Sequence, residues 1–180
     1  MLIRKNSCHF ARAPGIDSVR SRFGLYCGLA LLMFIAPANP AGADLLLGIK
    51  VGSMDVDMPT TKNPTNMAVH VGFPLDNQRA DISLIGEVNR TVSKGEARGG
   101  GELEFESEAI FLRVRTTSSL FISLRGGIVQ DKIIVDGDSR ADDGFLLGGG
   151  IGVVSGRTRI ELEYTSIAGD ANFLSLNIEF

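Results

Sequence analysis

Arg159-Ile160-Glu161-Leu162-Glu163-Tyr164-Thr165 alternates strictly between polar and apolar residues, and so does Leu174-Ser175-Leu176-Asn177-Ile178-Glu179-Phe180 after a break at Ala168-Gly169-Asp170. Side chains on a strand point alternately to opposite faces, so each segment has one greasy face and one polar, partly charged face. A soluble sheet packed on a core would show the same alternation. The aromatic Phe180 at the end of an alternating strand, together with an export signal at the start of the chain, favours a membrane β-barrel, whose interfacial girdle takes such residues.

Residues 1–43 read as a secretory signal. Arg4, Lys5, Arg12, Arg20 and Arg22 form a basic region, Leu25 to Ala36 is apolar except for Gly28, and Ala41-Gly42-Ala43 supplies the small-x-small cleavage pattern before Asp44. The apolar run is about a dozen residues, short of the roughly 20 that a spanning helix needs. Cys27 sits at the start of that run, the wrong place for a lipoprotein cysteine. Both cysteines, Cys8 and Cys27, fall within the signal, so the mature chain 44–180 is expected to carry no disulfide or thiol chemistry. It holds 13 basic and 20 acidic residues, a formal charge of −7 with no basic cluster, which argues against nucleic acid as a partner. It contains no apolar stretch near 20 residues, a criterion that does not bear on barrels, where only every second residue meets lipid.

The mature segment reads as eight strands near the 9–11 residues of a tilted membrane strand. Leu45, Leu47, Ile49 and Val51 share a face in the first (44–55); Met67, Val69, Val71 and Phe73 do so in the second (65–73), and Ile82, Leu84, Gly86 and Val88 in the third (79–90). The fourth, 102–115, changes phase. Leu103 and Phe105 have one parity and Ile110, Leu112 and Val114 the other, so a bulge near Glu108 or a later start is expected. Leu120, Ile122, Leu124 and Ile128 mark the fifth; Phe145, Leu147, Ile151 and Val153 mark the sixth, interrupted by Gly148-Gly149-Gly150. Asp57–Pro64, Thr91–Gly101 and Asp131–Asp142 read as long loops, whereas 74–78, 116–118 and 155–157 read as tight turns. Loops long on one side and short on the other are a barrel's habit.

Here the chain resembles the small eight-stranded outer-membrane barrels of Gram-negative bacteria: OmpA-type transmembrane domains, OmpX-like proteins and opacity-type porin-family surface antigens. The resemblance covers the mature chain as an architecture and is concentrated in 160–165, 169–172 and 176–180. It implies an all-β, up-and-down transmembrane barrel in the outer membrane. Outer-membrane lipid and lipopolysaccharide, the barrel assembly machinery and surface or host ligands are the partners it implies. In that group the final strand looks like the assembly signal, with Phe180 and Ile178 in the matching places; Ser175 stands where the group often has glycine.

The polar face of these strands carries Lys50, His70, Asp81, Glu87, Arg125, Arg159, Glu161 and Glu163. An eight-stranded barrel is just wide enough to be filled by side chains, so charges of both signs are expected to pair there as a plugged lumen. A narrow ion or proton path through them is the sharper alternative. His70 with Ser83 and Glu87 has no hydrolase spacing, so a lipid-modifying enzyme is disfavoured, as is a soluble lipocalin-like barrel. One mature histidine and no cysteine speak against a transition-metal site, and no cofactor is expected. Asp136-Gly137-Asp138 with Asp142-Asp143 fails the calcium-loop pattern at Arg140, leaving a solvated acidic loop with weak divalent-ion binding as the minor reading. The two glycine triplets lack the Lys-Ser/Thr of a phosphate loop, and Asn89-Arg90-Thr91 is too short a glycosylation pattern to weigh.

Overall fold

The computed structural model describes residues 45–75 and 80–180; the signal segment, its cleavage point and both cysteines lie outside them. Ten strands form: β1 Leu46–Val56, β2 Thr60–Lys62, β3 Thr65–Leu75, β4 Asp81–Ser93, β5 Gly95–Ala97, β6 Glu102–Arg115, β7 Leu120–Val135, β8 Asp138–Ser155, β9 Thr158–Ile167 and β10 Ala171–Glu179. Eight of them close an antiparallel barrel in the order β1-β3-β4-β6-β7-β8-β9-β10, with β10 returning to β1 through Val51 opposite Leu176. The short strands β2 and β5 pair with each other, and β5 continues onto β6.

The barrel has two unlike ends. Where β1 starts and β10 finishes (the near end), β6–β7 and β8–β9 are joined by short turns. At the far end β6, β7 and β8 rise as a wall well past the last β8–β9 pair, Leu146 with Ile167. Asp131–Asp142 is therefore no loop. β7 and β8 pair without a break from Leu120–Val153 to Val135–Asp138 and turn on Asp136-Gly137 alone. Both turn residues have positive φ, 52° and 88°, the two-residue geometry that Asp-Gly supplies. Asp136 Oδ1 also accepts the Glu102 amide at 2.9 Å, so Asp136-Gly137-Asp138 is a strand turn and not an ion loop. Likewise Asp57–Pro64 contains β2, and Thr91–Gly101 contains the end of β4 and all of β5.

The expected break in the fourth strand is absent. β6 pairs continuously with β7 from Leu103 to Arg115, with neither bulge nor late start. Leu103, Phe105, Ala109 and Phe111 face inward, while Ile110, Leu112 and Val114 face outward. The strand keeps its register and the surroundings change. Near the far end the apolar residues fill the interior and Glu102, Glu104, Glu106 and Glu108 face out; lower down, the outer face becomes apolar. The triple glycine does not interrupt β8 either.

Candidate functional site: the charged interior and the acidic far wall

The interior has two storeys. The far storey is apolar: Met54, Val56, Leu103, Phe105, Val129, Leu146, Ile167 and Phe173 form one buried cluster, with Met58, Ile133 and Val135 packed on it. The near storey is ionic. Lys50 Nζ lies 2.5 Å from Glu87 and 2.9 Å from Glu163, while Arg125 pairs with both Glu163 and Glu161. Glu179 gathers Arg113 at 2.6 Å, Arg115 at 2.9 Å, Arg159 at 3.3 Å and His70 at 3.4 Å. Phe111 separates the storeys, its ring 5.4 Å from both Lys50 Nζ and the Arg125 guanidinium carbon.

Of the eight charged residues expected inside, Lys50, His70, Glu87, Arg125, Glu161 and Glu163 are buried. Asp81 and Arg159 sit at the near rim, 3.6 Å apart and partly exposed. Arg113, Arg115 and Glu179 were not among the expected set, although the outward parity of Leu112, Val114 and Ile178 places all three inward. Ile178 and Phe180 lie on the outer side of the last strand, with Phe180 62% exposed.

The glycine row of β8 explains how charges on non-adjacent strands meet. Gly150 lies between Ser123 of β7 and Glu163 of β9; Gly148 lies between Arg125 and Thr165. Because β8 contributes no side chain there, Ser123 and Arg125 reach over it to Glu161 and Glu163.

Chemically, the cluster is committed to itself. His70 is held to Glu179, Ser83 Oγ donates to Asp81 Oδ1 at 3.2 Å, and Glu87 is held by Lys50, so His70, Ser83 and Glu87 form no nucleophile–base–orienter chain. Nor do the ion pairs continue to the far end, where the apolar cluster, with neutral Asn66 and Asn89 hydrogen-bonded among it, fills the bore. A dry plug of that kind is a barrier to ions. We therefore expect planar bilayers doped with the purified barrel to stay at baseline current; reproducible ohmic steps would show that the far storey opens.

The outer face divides just as sharply. Leu47, Ile49 and Val51, Val69, Leu112 and Val114, Leu120 to Ile128, Leu147 to Val153, Leu162 and Leu174 to Phe180 make a continuous apolar belt. On β7 it spans Leu120–Ile128, roughly 20 Å between their Cα atoms at a rise of ~3.3 Å per residue and a ~40° tilt. Among the described residues 27 large hydrophobic side chains are exposed and 15 hydrophobic ones are buried, whereas 18 polar or charged residues are buried. That is inside-out for a protein in water. Above the belt, the segments 53–66, 89–108, 129–144 and 165–173 hold 13 of the 20 acidic residues and 6 of the 13 basic ones of residues 44–180. The rest of residues 44–180 balances at seven each, so the net charge of −7 over that stretch belongs to the far end. Part of it forms an ion-pair lattice on the outside of the wall: Lys94 with Glu102 and Glu104, and Arg90 with Glu108.

No family model and no curated protein matches the chain. Solved structures do. Ail, the attachment invasion locus protein of Yersinia pestis, in complex with the heparin analogue sucrose octasulfate, aligns over 76% of this chain and 96% of its own, with 17% identity and a TM-score of 0.48. Neisserial surface protein A aligns over 77% of this chain and 97% of its own, with 11% identity and a TM-score of 0.49. The fold is a closed, eight-stranded antiparallel β-barrel.

Proposed function

We propose that this chain is an outer-membrane surface barrel whose work is interaction: an inert, salt-bridged cylinder in the bilayer that holds an acidic β-wall outside the cell. The observation that carries this reading is the coincidence of two boundaries. The apolar belt ends where the far-end charge begins, as on β6, where outward Ile110 is followed by Glu108, and on β7, where outward Ile128 is followed by Gln130 and Lys132. Lipid and lipopolysaccharide would surround the belt, and the assembly machinery would meet the last strand at Ile178 and Phe180. The far wall with its connections 57–64, 91–101 and 136–137 would meet the partner, since scaffolded, exposed segments carry most recognition.

The charge of that wall defines the partner class. A surface with 12 acidic and 6 basic residues repels polyanions and attracts cationic polypeptides. The interior supports a non-catalytic role, because His70 is held to Glu179 and the other buried glutamates are held by Lys50, Arg115 and Arg125.

Outer-membrane fractions run on an SDS gel with and without boiling test the first half of this reading. A faster unboiled band is expected, and a soluble protein without a shift would overturn it. Surface biotinylation of Lys94 and Lys132 on intact cells tests the second half, because labelling confined to broken cells would put the wall on the wrong side.

A further inference from the structure

Above its last pair with β9, Leu146 with Ile167, β8 has a neighbour on one side only. Asp138–Gly144 pairs with β7 throughout, and among the described residues no strand lies along its other edge. The two-residue turn at Asp136-Gly137 makes Val135 and Asp138 a hydrogen-bonded pair. Alternation then aims the N–H and C=O of Asp138, Arg140 and Asp142 at β7, and those of Ser139, Ala141 and Asp143 away from it. Phe145, of the same parity as these last three, follows that direction: its carbonyl accepts the Ala168 amide at 2.9 Å on the β9 side. The Asp143 amide is satisfied within the strand, donating to Asp142 Oδ1 at 2.9 Å. The Ser139 and Ala141 amides and the Ser139, Ala141 and Asp143 carbonyls have no partner among the described residues. Proline, lysine and bulges commonly blunt such an edge, and residues 138–144 hold none of them. What they hold is charge, three aspartates and one arginine, a net of −2. Charge on an edge turns away strands of like sign and leaves the opposite sign welcome.

We propose that the open edge of β8 docks an extended cationic polypeptide segment, which joins the β7–β8 wall as an added strand. This deepens the proposed function and rests on its reading of the far wall as the face that meets a partner. Main-chain hydrogen bonds to Ser139, Ala141 and Asp143 supply the affinity, and the side chains choose the sequence. Asp138, Arg140 and Asp142 share one face of β8, with Asp143 on the other. Directly opposed side chains of a paired strand stand ~5 Å apart, so opposite charges attract there and like charges repel. The order minus, plus, minus therefore suits a strand with lysine or arginine at two positions four apart and an uncharged or acidic residue midway between them. A second copy of this chain suits it less well, because two edges of net negative charge would meet on walls that are already rich in acid.

The probe is a short, end-blocked, fluorescent peptide of alternating valine and threonine in which lysine replaces two residues four apart. It is titrated by anisotropy against the detergent-purified barrel, and hydrogen exchange is measured on the same complex. Wild type is expected to bind it, more weakly as salt rises, and to slow exchange of the Ser139 and Ala141 amides. Ala141→Pro removes an edge-facing N–H and no bond to β7, a place where a strand tolerates proline. It should keep the gel shift of the closed barrel and weaken binding at least about tenfold. Asp142→Asn with Asp143→Asn should weaken binding about fivefold and flatten its salt dependence. The same peptide methylated on alternate backbone nitrogens keeps every charge and cannot pair; it should bind wild type at least about tenfold more weakly, a readout that holds even if Ala141→Pro fails to fold. Equal binding of the methylated peptide, or unchanged exchange at Ser139 and Ala141, would assign the contact to the acidic surface alone and overturn the edge. So would no binding at millimolar peptide, or a dimeric barrel whose Ser139 and Ala141 amides are already protected by a second copy. Biotinylation of Lys94 and Lys132 confined to broken cells would sink the outward-facing reading and leave peptide binding in detergent untouched, which tells the two failures apart.

Discussion

Replacing Glu163 by alanine is expected to cost about 3–5 kcal/mol of barrel stability, as breaking one side of a buried ion pair does elsewhere. Glu163 is fully buried and serves three partners: Lys50 at 2.9 Å, Arg125, and the Asn177 amide, which donates to it at 2.8 Å. Its removal leaves Lys50 with Glu87 alone and Arg125 with Glu161 alone, two buried cations facing two carboxylates where they had three. Glu163→Gln keeps the shape and the Asn177 contact, and should fall between. Asp81→Asn, at the partly exposed near rim, should cost less than about 1 kcal/mol. Urea unfolding in detergent, followed by loss of the compact gel band, orders the three. Unfolding of Glu163→Ala at the wild-type urea midpoint would mean that lumen water satisfies Lys50 and Arg125 as well as Glu163 does. The pair exists because the interior must be filled, so Lys50→Met with both Glu87→Gln and Glu163→Leu, which leaves Arg125 paired with Glu161 and strands no carboxylate, should recover much of the loss.

Legibility in the sequence followed from what each face meets. Where a strand has an apolar outer face and a polar bore inside, as in β9 and β10, alternation assigns every side chain and so finds Glu161 and Glu163. Above the belt the same rule fails, because the outside is water and the inside is an apolar core. On β6 this exchange of surroundings between Glu108 and Ile110 looked like a slip of the chain, and the uncertainty about that strand hid Arg113 and Arg115. Glu179 shares a parity with Asn177 and Ser175, which places it inward beside the terminal aromatic. The β7–β8 wall reads as a loop because its outer positions, Gln130, Lys132 and Asp143, are polar on a strand wetted from outside. The signal that could have found it is Asp136-Gly137, a two-residue hairpin turn between the β-branched run Ile133-Ile134-Val135 and the following strand. What no pattern could supply is the far storey's packing, because it depends on closure of the barrel.

Gly150→Leu should prevent assembly of a heat-modifiable barrel altogether. Even a single Cβ at this inward position would overlap the Glu161 carboxylate and stand 2.8 Å from the Leu162 carbonyl oxygen, so the larger side chain has nowhere to go without displacing backbone. The damage exceeds overpacking, which alone costs about 1–3 kcal/mol. A side chain on β8 would also stand between Ser123 and Arg125 on one side and Glu161 and Glu163 on the other, stranding four buried polar groups at about 1–3 kcal/mol each. The sum is comparable to the whole stability of a small domain, about 5–15 kcal/mol. Gly149→Ala is the control, because that residue faces outward and its added Cβ would meet only the Ser123 carbonyl at 3.1 Å and the Leu124 side chain at 3.4 Å. It should assemble and shift on the gel like wild type. If Gly150→Leu assembles equally well, the cross-strand contacts over β8 are dispensable, and the glycine row must be explained by strand curvature alone.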